Sequence, residues 1–507
     1  MNRDEQLVRL RERTEPWDML VIGGGATGVG VAVDAASRGY SVALIEQHDF
    51  GKGTSSRSTK LVHGGVRYLE QGNIPLVMEA LQERGILREN APHLVYDLAF
   101  IVPNYEWWES PFYGIGLRIY DLLAGKYGFG KSRNLSREET LEKIPTLQTE
   151  GLRGGVIYYD GQFDDTRLLI HLAWTATEQG ATLVNYCRAE SFLMDEGVVA
   201  GVVARDIESG ARFPLRAKVV INATGAFSDG VRRAADPDAA DMIAPSQGAH
   251  IVLDRSFLPG DSAIMVPHTT DGRVMFAIPW HEHTLVGTTD TPVAGAALEP
   301  RPLSEEIDFI LENAARYLNR PPTRDDILSA FAGIRPLVKS GAGNTAALSR
   351  DHSIHIDQNG LITVAGGKWT TYRRMAEDCV NQAAMLAALP ERDCVTRQLR
   401  LHRYPHEQLN QPKQLHPALP YTEAEVVRAV RLEMARTVED VLARRTRALF
   451  LNATAAMEMA SRVGQIIAEE LGIDPRAQVA EFLETAAGYC PGGTSESPKL
   501  TVTEPRL

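Results

Sequence analysis

The sequence predicts an α/β chain, α+β overall, with a parallel βαβ layer, a second and largely antiparallel sheet, and a small helical domain toward the C-terminal end. Three observations predict it. Apolar runs flank a glycine-rich turn and a helical stretch between Asp18 and Glu46, apolar runs alternate between Ala249 and Thr291, and helical periodicity takes over past about residue 395. The 507 residues are 44% hydrophobic and 23% charged, ordinary globular proportions. At roughly 100 to 200 residues per domain that length accommodates about two to four domains.

Taken in order, DMLVIGGGATGVGVAVDAASRGYSVALIE reads as a strand, three glycines, an Ala- and Val-rich helix, a stop at Arg38-Gly39 and a second strand ending at Glu46. GVVAGVVARDIESGARFPLRAKVVINATG reads as short strands broken at Gly197 and Ser209-Gly210. A last strand from Lys218 to Ala223 then opens onto Thr224-Gly225, an antiparallel meander before a returning sheet strand. HIVL, VMFAIPW and HTLVGTTD belong to the second sheet, with a helix over roughly 304 to 318 behind it. Pro and Gln gather in a linker near 404 to 417, ahead of helical stretches such as TEAEVVRAVRLEMARTVEDVLARR. The expected domains are 1–75, 150–240 and 335–392 for a discontinuous cofactor-binding domain, 76–149 and 241–334 for a substrate or cap domain, 393–488 for the helical domain, and 489–507 for a flexible tail.

Lys plus Arg is 53 against 65 Asp plus Glu, a formal net charge of −12. That excludes a basic nucleic-acid binder and any broad attraction to anionic lipid. An anionic ligand must instead be held where cations from separate segments converge. No stretch of about 18 apolar residues occurs, and the opening MNRDEQLVRLRERTEPW lacks a signal-peptide core, so neither a membrane span nor Sec export is expected. The four cysteines, Cys187, Cys379, Cys394 and Cys490, match no metal-ligand spacing and point to a reducing, cytoplasmic setting.

Gly23-x-Gly25-x-x-Gly28 follows a strand and opens a helix, the context a dinucleotide site needs: a tight turn, close backbone approach to pyrophosphate, and helix N–H groups facing negative charge. Glu46, about 20 residues on, is placed to accept from ribose hydroxyls. It disfavours a 2′-phosphate and leaves FAD or NAD. The following GKGTSSRSTKLVHGGVRYLEQGN chooses between them. Its small donors Thr54, Ser55, Ser56 and Ser58, with Lys60, lead into His63-Gly64-Gly65, where a flat ring can approach the backbone.

At these residues the chain resembles the FAD-dependent glycerol-3-phosphate dehydrogenases, members of the glycine-oxidase/D-amino-acid-oxidase group. VIGGGATG, TSSRSTKLVHGGVRYLE, VINATGAFSD, GAHIVL, IPW…GTTD, AGIRPL, SRDHSI and GGKWTTYRRMAE match that family's blocks in order, from about residue 17 to 380. The resemblance implies a Rossmann-like FAD-binding domain, FAD held without a covalent link, oxidation of glycerol 3-phosphate to dihydroxyacetone phosphate, and electrons passed to a membrane quinone. It implies cofactor contacts at Gly23, Gly25, Gly28 and Glu46, at Thr54, Ser55, Ser56, Lys60, His63 and Gly64, and at Thr224, Gly225, Gly367, Lys368 and Thr370.

Oxidising a secondary alcohol with a flavin needs a hydride acceptor, a group to take the hydroxyl proton, and cations for the phosphate. The candidate cations are Arg67, Arg335, Arg350 and Lys368, each beside a turn or glycine, with Tyr68 next to the first. Arginine suits bidentate phosphate recognition, and lysine supplies a point charge. His250 in QGAHIVL is the leading candidate base, with His63 as its rival and Arg335 or water as a third route. Gly366-Gly367-Lys368 precedes a helix from about Thr370, whose N-terminus would face the flavin ring edge that becomes negative on reduction.

Other features read more plainly. His281-Glu282-His283 is placed on a strand and, with no further clustered ligand, is not read as a metal site. The basic stretch from Arg428 to Arg447 is expected to be the solvated face of a helix. Residues 105–129 carry eight aromatics in 25 positions against 7% in the whole chain, consistent with core packing or with an interfacial anchor beside Arg118 and Lys126. The expected location is therefore cytoplasmic, peripheral on the inner face of the cytoplasmic membrane; a homodimer is compatible with the sequence. The alternatives are a glycerol-3-phosphate oxidase using O₂, an amine or amino-acid oxidase of the same fold, and a non-catalytic flavin-binding interaction module.

Overall fold

A computed structural model describes residues 1–70, 72–339, 352–404 and 413–491, with the side chains of Arg67 and Glu70 outside that description. β1 (Trp17–Ile22) lies parallel to β2 (Val42–Ile45) on one side and to β3 (Arg212–Asn222) on the other. Met19, Leu20 and Val21 are fully buried, so the strand is covered on both faces and reads as an unbroken apolar run. Between β1 and β2, helix α1 (Ala26–Ser37) packs on the sheet beside a later helix, Tyr372–Leu386. Gly30 allows that close crossing: a Cβ there would lie 2.9 Å from the Tyr372 ring. β3 serves two pairings. Its first residues run antiparallel to Val198–Asp206, and Ala217–Asn222 run parallel to β1, which is the meander-then-return the sequence predicts.

The second sheet is built around β4 (Ile243–Asp254), flanked antiparallel by β5 (His283–Gly287) and β6 (Ile327–Val338). It is not wholly antiparallel, since Ser262–Val266 pairs parallel with Val95–Asn104. It also takes in Leu61–Val62 and Gly154–Phe163, which the sequence grouped with the cofactor-binding segments. Local pattern identifies a strand but not its partner, and here hydrogen bonding to Val95–Asn104 decides. The helix expected over 304 to 318 spans Ser304–Ala315.

The C-terminal helices Glu423–Glu433, Ala453–Leu471 and Arg476–Ala487 do not stand apart. Phe450 and Phe482 share one hydrophobic cluster with Trp280 and Phe331 of the second sheet. Tyr489, placed in a flexible tail by the sequence, is buried, and its carbonyl accepts from Ala330 N at 2.8 Å. Residues 492–507 lie outside the described residues.

The basic stretch is a second correction. Arg428 and Arg431 are partly exposed, but the side chains of Arg444, Arg445 and Arg447 are at most 3% exposed. Arg444 reaches Asp49 at 2.6 Å, and Arg445 holds both oxygens of the same carboxylate at 2.7 and 2.8 Å. A charge run reads as a solvated face only when its partners are solvent, and here the shared partner Asp49 sits almost 400 residues away on the first layer.

Candidate functional site

Among the described residues one large cavity opens where the carboxyl ends of β1, β2 and β3 face the second sheet, the position expected of a ligand in an open parallel sheet. The glycines after β1 meet distinct demands. Gly23 has φ +114°, and a Cβ on it would lie 2.7 Å from Ala223 O. A Cβ on Gly28 would lie 2.0 Å from Gly23 O, so this residue seals the turn against α1 and does not line the cavity. Gly25 faces the cavity at the start of α1, and Ser55 Oγ accepts from Ala26 N at 2.9 Å. Glu46 also lines the cavity, its oxygens accepting from Gly24 N at 2.6 Å and His48 N at 2.8 Å. Bare backbone, a helix N-terminus and an acid at the end of β2 together fit the dinucleotide half of FAD.

Thr54, Ser55, His63, Thr224, Gly225, Gly367, Lys368 and Thr370 line the same cavity, as do His250 and Arg335. Besides Gly28, three predicted cofactor contacts do not. Ser56 is buried, with its carbonyl accepting from Lys60 Nζ and from Arg447. The Gly64 amide is taken by Tyr120 OH and Asp160, and a Cβ there would strike Tyr120, so this glycine serves packing. Lys60 is fully buried, bonded to Asp165 at 2.6 Å and ringed by Trp280, Phe331 and Phe450. Burial lowers its pKa to about 7, against the opposing pull of Asp165. Residue type and proximity to HGG put Lys60 among the ligands; the buried carboxylate that claims it lies 105 positions on.

On the second-sheet side, Arg335 on β6 donates to Asp290 at 3.0 Å, Thr288 Oγ1 at 3.1 Å and Thr289 O at 2.8 Å. Gly248 leaves room for it, since a Cβ there would meet the guanidinium at 2.4 Å. Lys368 Nζ lies 3.9 Å from the centre of the Tyr68 ring, which brings together two residues 300 apart in sequence. Gly366 and Gly367, at φ +75° and +70°, turn the chain so that Lys368 leads into Trp369–Thr371 and the helix Tyr372–Leu386. Arg350 lies outside the described residues, as does the side chain of Arg67.

His250 is 3% exposed on β4, and burial together with Lys60 and Arg335 holds its pKa well below the usual histidine value. It is therefore neutral at ordinary pH, the state a base requires. His63 is fastened at its backbone to Thr370 Oγ1. His281 and Glu282 both have positive φ and form the turn before β5 instead of a strand. The rings part, His281 toward Asp164 and His283 toward the carbonyl of residue 281.

Sequence reasoning passed over Arg57, Thr59 and Asp290. Arg57 lines the cavity and bonds Glu299 and Tyr489 OH, both at 2.7 Å. Thr59 stands within the quoted TSSRSTK, and Asp290 ends the quoted GTTD. Membership of those blocks was the available signal.

Residues 18–373 match the family described as FAD dependent oxidoreductase, and residues 364–478 match the C-terminal domain of alpha-glycerophosphate oxidase. The chain is 40% identical to the mitochondrial glycerol-3-phosphate dehydrogenase of Homo sapiens over 562 residues, covering 99% of this chain and 77% of that protein. It is similar to the crystal structure of the Bacillus halodurans glycerol-3-phosphate dehydrogenase complexed with FAD, with TM-score 0.76 and 29% identity, over 97% of this chain and 99% of that one. The Geobacillus kaustophilus glycine oxidase, at TM-score 0.54 and 22% identity over 77% of this chain and 100% of that one, shares the fold. A fold, a cavity and a full-length relationship that agree in this way show that the chain belongs to the FAD-dependent oxidoreductases and, among them, to the glycerol-3-phosphate dehydrogenases.

Proposed function

We propose that the protein oxidises sn-glycerol 3-phosphate to dihydroxyacetone phosphate by hydride transfer from C2 to the flavin N5, and that the electrons pass on to a membrane quinone. The observation that carries this reading is a cavity whose first-sheet side presents the glycines, the acid Glu46 and Lys368, and whose second-sheet side presents Arg335 and a neutral His250. Arg335 and Lys368 hold the dianionic phosphate, with Tyr68 beneath Lys368 and with Arg67 and Arg350 as further cations. His250 accepts the hydroxyl proton. The alternative base, His63, sits closer to the glycines of the flavin-side loop.

Quinone reduction calls for contact with a bilayer. α2 (Glu109–Ala124) buries Leu117 and Tyr120 and leaves Phe112, Ile115, Ile119 and Leu122 exposed, Leu122 to 79%, next to Trp107 at 74%. A solvent-facing apolar stripe with an interfacial Trp suits peripheral insertion on the inner face of the cytoplasmic membrane. Among the described residues no helix is long and apolar enough to cross a membrane. The second reading, reoxidation by O₂, is favoured by the match of the C-terminal segment to a domain described from an oxidase.

Anaerobic addition of glycerol 3-phosphate tests the half-reaction: the flavin absorbance bleaches, and persistent colour rejects it. Reoxidation by a short-chain quinone analogue against dissolved oxygen separates the two acceptors. Leu122→Glu combined with Ile115→Glu should release the protein from vesicles while leaving the half-reaction intact; undiminished sedimentation with vesicles would remove α2 from the membrane contact.

A further inference from the structure

The two ring nitrogens of His250 stand in different surroundings. The ring projects between its cross-strand neighbours Gly287 on β5 and Phe331 on β6. It lies flat against Phe331 at 5.0 Å and 13°, and directly over Gly287, where a Cβ would fall 2.4 Å from its Cδ2. Nδ1 is buried and has no hydrogen-bond partner among the described residues. Nε2 is 2.9 Å from Thr59 Oγ1, and Thr59 is only partly buried and lines the cavity. The Thr59 hydroxyl therefore offers a ligand in the cavity a hydrogen-bonded route to His250 Nε2.

We propose that Thr59 is a catalytic residue that relays the substrate's C2 hydroxyl proton to His250 Nε2. The proposal rests on the reading of His250 as the base. The substrate O–H bond breaks and its proton bonds to Thr59 Oγ1, while the hydroxyl proton of Thr59 passes to Nε2. Thr59 ends as it began, His250 ends as imidazolium, and the C2 hydrogen leaves with its electron pair for the flavin, so that the alcohol is oxidised to a ketone and the flavin is reduced. The step uses the neutral tautomer with its N–H on Nδ1 and the Nε2 lone pair toward Thr59.

Two further features support the assignment. The β-branched side chain of threonine restricts the hydroxyl to few positions. Its neighbour Lys60, at φ +65° with its ammonium locked on Asp165 and Ser56 O, pins the backbone that aims it. This gives the misread Lys60 a purpose as an anchor. The cations that face His250, Lys60 and Arg335, are each paired with a carboxylate, Asp165 and Asp290.

The test is the rate of anaerobic flavin reduction at saturating glycerol 3-phosphate in the holoenzyme and its Thr59→Val, Thr59→Ser and His250→Gln variants. Loss of a positioned proton carrier predicts a fall of about 10²-fold for Thr59→Val, and Thr59→Ser, which keeps the hydroxyl, should stay within about threefold of the parent. A Thr59→Val rate within about twofold of the parent, or a Thr59→Ser rate as low as that of Thr59→Val, overturns the relay. His250→Gln separates the two levels. A fast His250→Gln variant rejects the base itself, whereas a slow one beside a fast Thr59→Val rejects only the relay. Should Thr59→Val lose its flavin, a proton inventory on the parent decides: rates in H₂O/D₂O mixtures bow for two protons in flight, and a straight line overturns the proposal.

Discussion

The cavity and the seam between the first layer and the C-terminal helices use the same kinds of residue for opposite ends. In the cavity, Arg335 and Lys368 are held by carbonyls, hydroxyls and a ring, with one carboxylate, Asp290, on Arg335. In the seam, Arg444 and Arg445 meet Asp49, Glu439 and Asp440 with every side chain essentially dry except the partly covered Glu439. Among the described residues the cations proposed to meet the substrate are held mainly by neutral groups, while those that hold the seam together are surrounded by carboxylates. Substitutions in the cavity should therefore change turnover at little cost in stability, and those in the seam the reverse.

The largest effect that sharpens this contrast is expected of His250→Asn, which should lower the rate of flavin reduction by roughly 10² to 10⁴ with an unfolding temperature near that of the parent. Steady-state rates together with a thermal melt check it. Comparable in energy but opposite in kind, Arg445→Met leaves the buried Asp49 carboxylate short of a partner and should cost about 3 to 5 kcal/mol of stability by denaturant unfolding. The folded fraction should turn over normally; a variant of normal stability with slow turnover would place Arg445 in the catalytic machinery instead of the seam. Lys368→Met follows, with loss of a charge-assisted contact worth about 1.5 to 3 kcal/mol, read as a rise in KM of roughly tenfold to a hundredfold with kcat little changed.

The smallest effect concerns pH. Burial, with Arg167 nearby, lowers the pKa of His171 to about 3. A histidine whose folded pKa is depressed contributes stability that is complete above its unfolded value near 6.5 and is lost as pH falls below it, by up to about 1.4 kcal/mol per pH unit. His171→Asn should flatten that acid limb in unfolding curves taken between about pH 6.5 and pH 5. An unchanged slope would show that other groups carry it.

How legible each part was follows from the range of the interactions that form it. Gly23, Gly25 and Gly28 could be read because what they do is decided within a few residues: a positive φ, a turn that must close, a helix that must start. The strand and helix order could be read for the same reason. Lys60 and the arginines near 445 were misread because a buried ion pair leaves no local mark. Their sequences resemble solvent-facing or ligand-facing charge, and the deciding carboxylates, Asp165 and Asp49, are more than a hundred positions away. Thr59 was overlooked among neighbouring small donors, since nothing but the fold singles out the one that meets His250.

By itself, then, the sequence determined the order of elements, the dinucleotide turn, the family and the set of residue types able to bind a phosphate and move a proton. Only the tertiary structure decided which of those residues face the cavity, which are sealed in the seam, that Tyr489 is buried against Ala330 of the second sheet instead of trailing from it, and that Thr59 meets His250. Backbone conformation is encoded over a few neighbouring positions, whereas burial and the pairing of charges depend on which distant segments the fold brings together.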